Sequence, residues 1–303
     1  MKVIVTDKLA DKGVELLEAA GYEVNKAWDI PKEDLPGIIG DYDAIVIRSA
    51  TKVKGDLLAA AKNLKVVGRA GIGLDNVDLD TCKERNIVVR NTPNATTDTV
   101  AELALAYMFA LARPIVKATT TLREGKWAKK ELKGTELLGK TLGIVGCGRI
   151  GSALARKAHA IGMKIIGCDV VEIHEACVDQ CEMDDVFGEA DFISLHLPLL
   201  PDTKHIIGKD NIAKMKDGVC IINCARGGTL DEGAVYEAIK SGKIRGVALD
   251  VWEKEPIELE VSKKLLELEE VIGSPHIGAQ TIEGQERAGI QVAEAVIEEL
   301  KKL

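Results

Sequence analysis

Leu142-Gly143-Ile144-Val145-Gly146-Cys147-Gly148-Arg149-Ile150-Gly151 decides how this chain is read. A short apolar run leads straight into a glycine turn, and helical spacing follows. Asp169 ends the next apolar run, Lys164–Cys168, 18 residues after Gly151. Strand, glycine turn, helix, strand and acid together meet the demands of a dinucleotide-binding fingerprint, which a glycine triplet alone does not. Gly146 allows the tight turn, Gly148 lets the backbone approach a pyrophosphate, and Gly151 permits close helix–strand packing. Arg149 and Ile150 open the helix, whose free N–H groups and positive dipole end suit phosphates. A carboxylate at Asp169 accepts from ribose hydroxyls and repels a 2′-phosphate. Val170 and Val171 follow it, with no arginine to hold such a phosphate, so the cofactor expected is NAD rather than NADP. The plain alternative for Asp169 is a solvated strand-end acid.

Outward from this turn, short apolar runs alternate with amphipathic stretches, the mark of βαβ units on parallel sheets. Lys2–Thr6, Ala44–Ile47, Lys65–Val67 and Ile87–Val89 read as strands, with helical patterns near 11–20, 54–62 and 78–85. A long helix is expected from about Asp98 to Ala112, with a Thr99/Glu102 capping box near its start and Pro114 at its end. Beyond it, strands are expected at Leu142–Val145, Lys164–Cys168, Phe192–Leu195, Val219–Asn223, Gly246–Leu249 and Val271–Gly273, and a last helix from about Glu283 to Lys301. The chain therefore holds two α/β halves.

The 303 residues correspond to roughly two domains at ~150 each. With 46% hydrophobic and 29% charged residues the composition is that of an ordinary globular protein. Acidic residues outnumber basic ones, 48 to 40, for a net charge of −8, which argues against a non-specific nucleic-acid binder. Aromatics, at 3%, are too few for base-stacking platforms. The longest apolar stretch, Leu103–Ala112, is about half the ~20 residues of a membrane-spanning helix. The opening residues lack the apolar core of a secretory signal, so no membrane association and a cytoplasmic location are expected. The seven cysteines then read as reduced thiols.

Polar residues follow predicted strands of the second half. Arg226 lies in Asn223-Cys224-Ala225-Arg226-Gly227-Gly228, Glu255 in Asp250-Val251-Trp252-Glu253-Lys254-Glu255-Pro256, and His276 in Ser274-Pro275-His276-Ile277-Gly278. Ligands of open α/β sheets bind outside the carboxyl ends of strands, so all can face one crevice. Histidine suits proton transfer near pH 7, a neighbouring carboxylate orients it and raises its pKa, and arginine grips a carboxylate with two prongs. Singly, Arg226 reads as well as a cap partner, Glu255 as a surface acid and His276 as a loop histidine; the shared strand-end placement makes them a set.

Gly146–Gly151, Asp169, Asn223–Glu232, Asp250–Pro256 and Ser274–Ala279 together resemble the D-2-hydroxyacid dehydrogenase family over nearly the whole chain. The resemblance implies an Arg226, Glu255, His276 catalytic set, with His276 as acid in ketone reduction and base in alcohol oxidation. It implies further cofactor contacts at Pro198, Thr203, Cys224, Ala225, Asp250 and Gly278. It also implies a Rossmann NAD-binding domain, residues 98–282, inserted in a flavodoxin-like substrate domain made of 1–97 and a returning helix, 283–303. Dimerisation or higher self-assembly through the NAD domain is implied as well.

The first half carries its own signals. Arg48 follows the strand Ala44–Ile47, and Arg69-Ala70-Gly71-Ile72-Gly73 follows Lys65–Val67. Gly71 and Gly73 allow N–H groups to converge on an anion. Two arginines beside such a nest suit a dianion better than a monocarboxylate; the alternative is a pair of surface ion-pair arginines. With Asn91-Thr92-Pro93-Asn94 and Gly125-Lys126-Trp127, these segments resemble the branch of the family that oxidises D-3-phosphoglycerate in the first step towards serine. That implies Gly71, Ile72 and Gly73 at the substrate carboxylate, Arg48 and Arg69 near its phosphate, Asn94 beside them, and Lys129 or Lys130 reaching in from a partner copy. Many members of that branch carry a C-terminal serine-binding extension; this chain ends at Leu303, so serine inhibition is not expected. A glyoxylate or hydroxypyruvate reductase would share the catalytic set without needing Arg69. An NAD(H)-sensing corepressor-like binding protein is a remoter reading. His174, Cys177 and Cys181 lie close in sequence but lack a fourth ligand, so no metal is expected.

Overall fold

Ala44-Ile45-Val46-Ile47 is apolar on both faces, which suits a parallel sheet covered on both sides. The computed structural model describes all 303 residues and builds two such sheets. The chain divides into Met1–Thr96 with Ala279–Leu303, and Thr97–Gly278. Residues 279–282, read with the second domain, thus go with the first. There Thr281 accepts from Gly284 N and caps the closing helix.

In the first unit β1 (Lys2–Val5), β2 (Glu23–Lys26), β3 (Ala44–Ile47), β4 (Val66–Arg69) and β5 (Val88–Asn91) lie parallel in the order β2-β1-β3-β4-β5. This is the flavodoxin-like order. Helix α1 (Asp11–Ala19) follows β1, α2 (Gly55–Ala60) follows β3 and α3 (Leu79–Glu84) follows β4. Alternate strand residues serve opposite faces. Val3, Val5, Val46 and Val66 pack with Leu17 of α1 and with Val292 and Val296 of the last helix; Ile4, Ile45, Ile47 and Val67 pack with Leu58 and Cys82.

The second unit begins with α4 (Thr97–Ala112) and α5 (Ile115–Arg123). Its strands are β6 (Thr141–Val145), β7 (Lys164–Cys168), β8 (Asp179–Gln180), β9 (Phe192–Leu195), β10 (Val219–Asn223), β11 (Ile244–Leu249) and β12 (Val271–Gly273). Helices α6 (Arg149–Ala160), α7 (Met183–Glu189), α8 (Lys209–Lys214), α9 (Glu232–Lys240) and α10 (Glu260–Leu266) lie between them. The sheet order is β12-β11-β10-β9-β6-β7-β8, all parallel. Counted from β6, this is the Rossmann order with one further strand. The order reverses between β6 and β9, which is where such sheets open a ligand crevice.

Sequence periodicity missed β2 and β8, both short, polar edge strands, and α5. It also placed the Thr99/Glu102 box at a helix start that lies two residues earlier, at Thr97, so Thr99 falls inside the first turn. No single helix is long and apolar enough to cross a membrane.

Helix α11 (Ile282–Leu300) closes the first unit. A Cβ on Gly13 of α1 would stand 2.5 Å from Gly289 O, and one on Gly68 2.5 Å from Val296 Cγ2. Gly→Ala in an unconstrained helix stabilises by roughly 0.5–1 kcal/mol. Here backbone cannot yield, so Gly13→Ala is expected to cost about 1–3 kcal/mol in urea unfolding. A gain would contradict this packing.

Candidate active site

The glycine turn has the shape its sequence demands. Gly146 sits at φ 95°, and a Cβ there would lie 2.7 Å from His196 O. A Cβ on Gly151 would lie 2.3 Å from Gly146 O, so helix and strand are in close contact. A Cβ on Gly148, by contrast, would meet nothing within 4 Å. Gly148 caps α6 without a side-chain partner, and the first helical bond is Ser152 N to Gly148 O. The amides of Arg149, Ile150 and Gly151 therefore lack helical acceptors and line the open side. Asp169 Oδ2 accepts from Cys147 N at 2.7 Å, which ties the acid to the same turn. Val170 beside it is fully exposed. An open amide cradle with an acid at the next strand end fits a dinucleotide pyrophosphate and ribose. After β9, Thr203 Oγ1 donates to Pro198 O at 2.6 Å and accepts from Leu200 N at 2.8 Å, closing the 198–203 turn, whose Pro198 is exposed.

Arg226, Glu255 and His276 leave β10, β11 and β12 at their carboxyl ends, and the structure brings their loops together. Buried Asn223 clamps the first loop: its Nδ2 donates to Arg226 O at 3.1 Å and its Oδ1 accepts from Ala225 N at 3.0 Å. Thr229 Oγ1 also donates to Arg226 O, at 2.7 Å. A Cβ on Gly227 would lie 1.7 Å from Trp252 O, so the Arg226 loop is pressed on the Glu255 loop. Trp252 N donates to Glu255 Oε1 at 3.1 Å, and Trp252 Nε1 to Ser274 O at 3.1 Å, joining the second loop to the third.

Glu255 Oε2 meets His276 Nδ1 at 2.7 Å. Burial pushes the Glu255 carboxyl up, but the His276 and Trp252 hydrogen bonds and the Arg226 charge hold it below its ordinary 4.5. The bond to Glu255 raises His276 above 6.5, against burial and Arg226. With Nδ1 engaged, Nε2 is the nitrogen left to exchange a proton.

His276 has φ 54°, unusual for a residue with a side chain. Asp250 holds it there. His276 N donates to Asp250 O at 2.8 Å. Asp250 Oδ1 accepts from Ile277 N and Oδ2 from Gly278 N, both at 2.7 Å, and Ser274 Oγ also donates to Oδ1. Asp250 is 0% exposed, and its carboxylate bonds the His276 loop. Gly278 is buried in the same turn, and Cys224 and Ala225 are each only 8% exposed.

In the first unit, a Cβ on Gly71 would stand 1.5 Å from Arg69 Nη1, so the Arg69 guanidinium lies over the Gly71–Gly73 turn. Asn91 Nδ2 donates to Ile72 O at 2.6 Å and steadies that turn. Buried Asp7 accepts from Arg48 N at 2.7 Å and Thr51 N at 3.0 Å, fixing the loop on which Arg48 stands. Asn94 is exposed. Lys129 is exposed and belongs to the second unit. His174, Cys177 and Cys181 do not converge: His174 is exposed, while Cys177 and Cys181 pack against different cores. Sequence reasoning missed Asn223, Trp252 and the inward role of Asp250; only their place in the loop motifs could have flagged them.

Comparison with known proteins agrees with this geometry. The family described as D-isomer specific 2-hydroxyacid dehydrogenase, NAD binding domain, matches residues 105–278. A hydroxypyruvate reductase of Thermotoga maritima is 50% identical over 99% of this chain and 98% of its own length. A D-3-phosphoglycerate dehydrogenase of Methanocaldococcus jannaschii is 48% identical over 98% of this chain, which spans 57% of that protein. The crystal structure of a D-lactate dehydrogenase from Aquifex aeolicus, complexed with NAD and lactic acid, superposes with a TM-score of 0.84 at 29% identity, covering 100% of this chain and 96% of that one.

Asp169→Ala removes a charged acceptor worth roughly 1.5–3 kcal/mol. It is expected to weaken NADH binding about tenfold or more and to narrow the preference over NADPH, measured by fluorescence titration. Unchanged NADH affinity would contradict the role of Asp169.

Proposed function

The chain belongs to the D-isomer specific 2-hydroxyacid dehydrogenases, and from that premise we propose that it oxidises D-3-phosphoglycerate to 3-phosphohydroxypyruvate. It is an NAD-dependent dehydrogenase; NAD, when bound on the Gly146–Gly151 turn, supplies the hydride acceptor. Arg226 grips the substrate carboxylate and polarises the carbon beside it. His276 takes the hydroxyl proton at Nε2 as the C2–H bond breaks, and returns it in reduction. Glu255 keeps the imidazole oriented and stabilises its charged form.

The observation that carries the choice of substrate is Arg69 folded over the Gly71–Gly73 turn. Amides of that turn suit the carboxylate, and Arg69 with Arg48 suits a phosphate dianion. Asn94 is assigned to the same substrate. Self-association through the second unit is part of the proposal. It is supported by the exposed apolar residues Ile115, Val116 and Leu122 on α5 and by Trp127 and Leu138. Lys129, two residues after Trp127, would then reach a partner copy's substrate.

A second reading, hydroxypyruvate or glyoxylate reduction, is favoured by the Thermotoga relative, matched over 98% of its length. It uses the same Arg226, Glu255 and His276 but leaves Arg69 without a task. NADH formation from D-3-phosphoglycerate against D-glycerate, in wild type and Arg69→Ala, separates the two. A strong preference for the phosphorylated acid that collapses in the variant is expected. Equal or better use of D-glycerate, untouched by the substitution, would give the reductase reading.

A further inference from the structure

Beneath the loop that carries Glu255 lies a carboxylate with no part in the chemistry above. Glu232 opens α9 and is only 2% exposed. A buried carboxylate is costly unless it is hydrogen-bonded. Its Oε1 accepts from Glu253 N at 2.7 Å, and its Oε2 accepts from Ser262 Oγ of α10. Glu253 returns the contact, its Oε1 accepting from Glu232 N at 3.3 Å.

The Glu253 N–H belongs to the peptide unit joining Trp252 to Glu253. The carbonyl of that unit, Trp252 O, is the atom on which Gly227 is pressed. One peptide therefore touches the Arg226 loop with its carbonyl and Glu232 with its N–H. One residue earlier, Trp252 N donates to Glu255 Oε1, and Glu255 Oε2 meets His276 Nδ1. Turning this peptide breaks the Glu232 bond and carries Trp252 and Glu255 with it.

We infer that Glu232 is a positioning residue for the reaction: through the Trp252–Glu253 peptide it holds the Glu255 carboxylate on His276 Nδ1. The inference rests on the roles given to Glu255 and His276 above. The charged groups facing His276 are Glu255, Asp250 and Arg226. Around Glu232 stand Ser262 and Glu253, with His205 at 3.2 Å from Glu253 and Asp231 at 4.0 Å from His205. Of the groups at His276, Glu255 alone bonds the ring. Loss of that bond as the loop slackens therefore shows as a fall in the His276 pKa.

The test is histidine NMR on protein labelled at histidine Cε1, with His276→Asn identifying its signal among the five histidines. In Glu255→Gln the His276 titration is expected to fall towards its ordinary 6.5. In Glu232→Met and Glu232→Ala it falls in the same direction but less far. In Glu232→Gln, whose amide oxygen still accepts from Glu253 N, it stays near wild type. Methionine nearly matches glutamate in shape and buries well, so Glu232→Met serves where Glu232→Ala does not fold. For 3-phosphohydroxypyruvate reduction, kcat should drop on the order of tenfold in Glu232→Met, inside the ~10²-fold an ångström of misplacement costs. The NADH dissociation constant should stay within about twofold.

A Glu255→Gln protein with an unmoved His276 would overturn the Glu255–His276 pairing and this inference with it. If Glu255→Gln moves His276 but folded Glu232→Met leaves it at the wild-type value, the inference alone fails. Parallel loss of NADH binding and kcat would make Glu232 a general support of the unit and would also overturn it.

Discussion

A parallel sheet delivers all its strand-to-helix loops at one edge, and the second unit depends on that constraint. β6 opens the glycine turn, and β10, β11 and β12 deliver Arg226, Glu255 and His276 from the same edge. The sheet supplies only the approximate placement. The final geometry comes from backbone contacts between loops. Gly227 lies against Trp252 O, Trp252 N and Nε1 bond the loops on either side, and Asp250 holds the left-handed turn at His276. The Glu255 carboxylate that bonds the His276 ring is itself held by a peptide N–H, and Asp250 fixes the backbone that carries the ring.

The electrostatics follow from the same arrangement. Glu255 is half-buried, a setting that alone would raise its pKa, yet its bond to His276 holds it ionised. The ionised carboxylate in turn raises His276, so the imidazole keeps its proton to higher pH than a free histidine. Arg226 helps to keep Glu255 ionised but lowers His276, which keeps the ring able to give the proton up. A group meant to act as acid in one direction and base in the other needs that balance.

Much of this was legible in the sequence, and the reasons are local. The Gly146–Gly151 turn is recognisable because backbone atoms leave no room for a side chain at Gly146 and Gly151. β3 and β10 are recognisable because burial on both faces demands unbroken apolar runs. β2 and β8 were not, since an edge strand needs no such run. The order of strands within each sheet was not readable from spacing; α11 was, but its return to the first unit came only from the family resemblance. Glu232 reads as an ordinary polar residue, because its bonds to Glu253 N and Ser262 Oγ, 21 and 30 residues on, leave no periodic trace.

The account's central claim is that His276, raised by Glu255, exchanges the substrate proton. It is tested most directly by the pH dependence of kcat/KM in both directions, with D-3-phosphoglycerate oxidised and 3-phosphohydroxypyruvate reduced. Oxidation needs neutral His276 and should rise with pH through a value above 6.5; reduction needs the protonated ring and should fall through the same value. Mirror-image limbs are predicted. Limbs of the same sense in both directions, or none that disappears in His276→Asn, would contradict the claim.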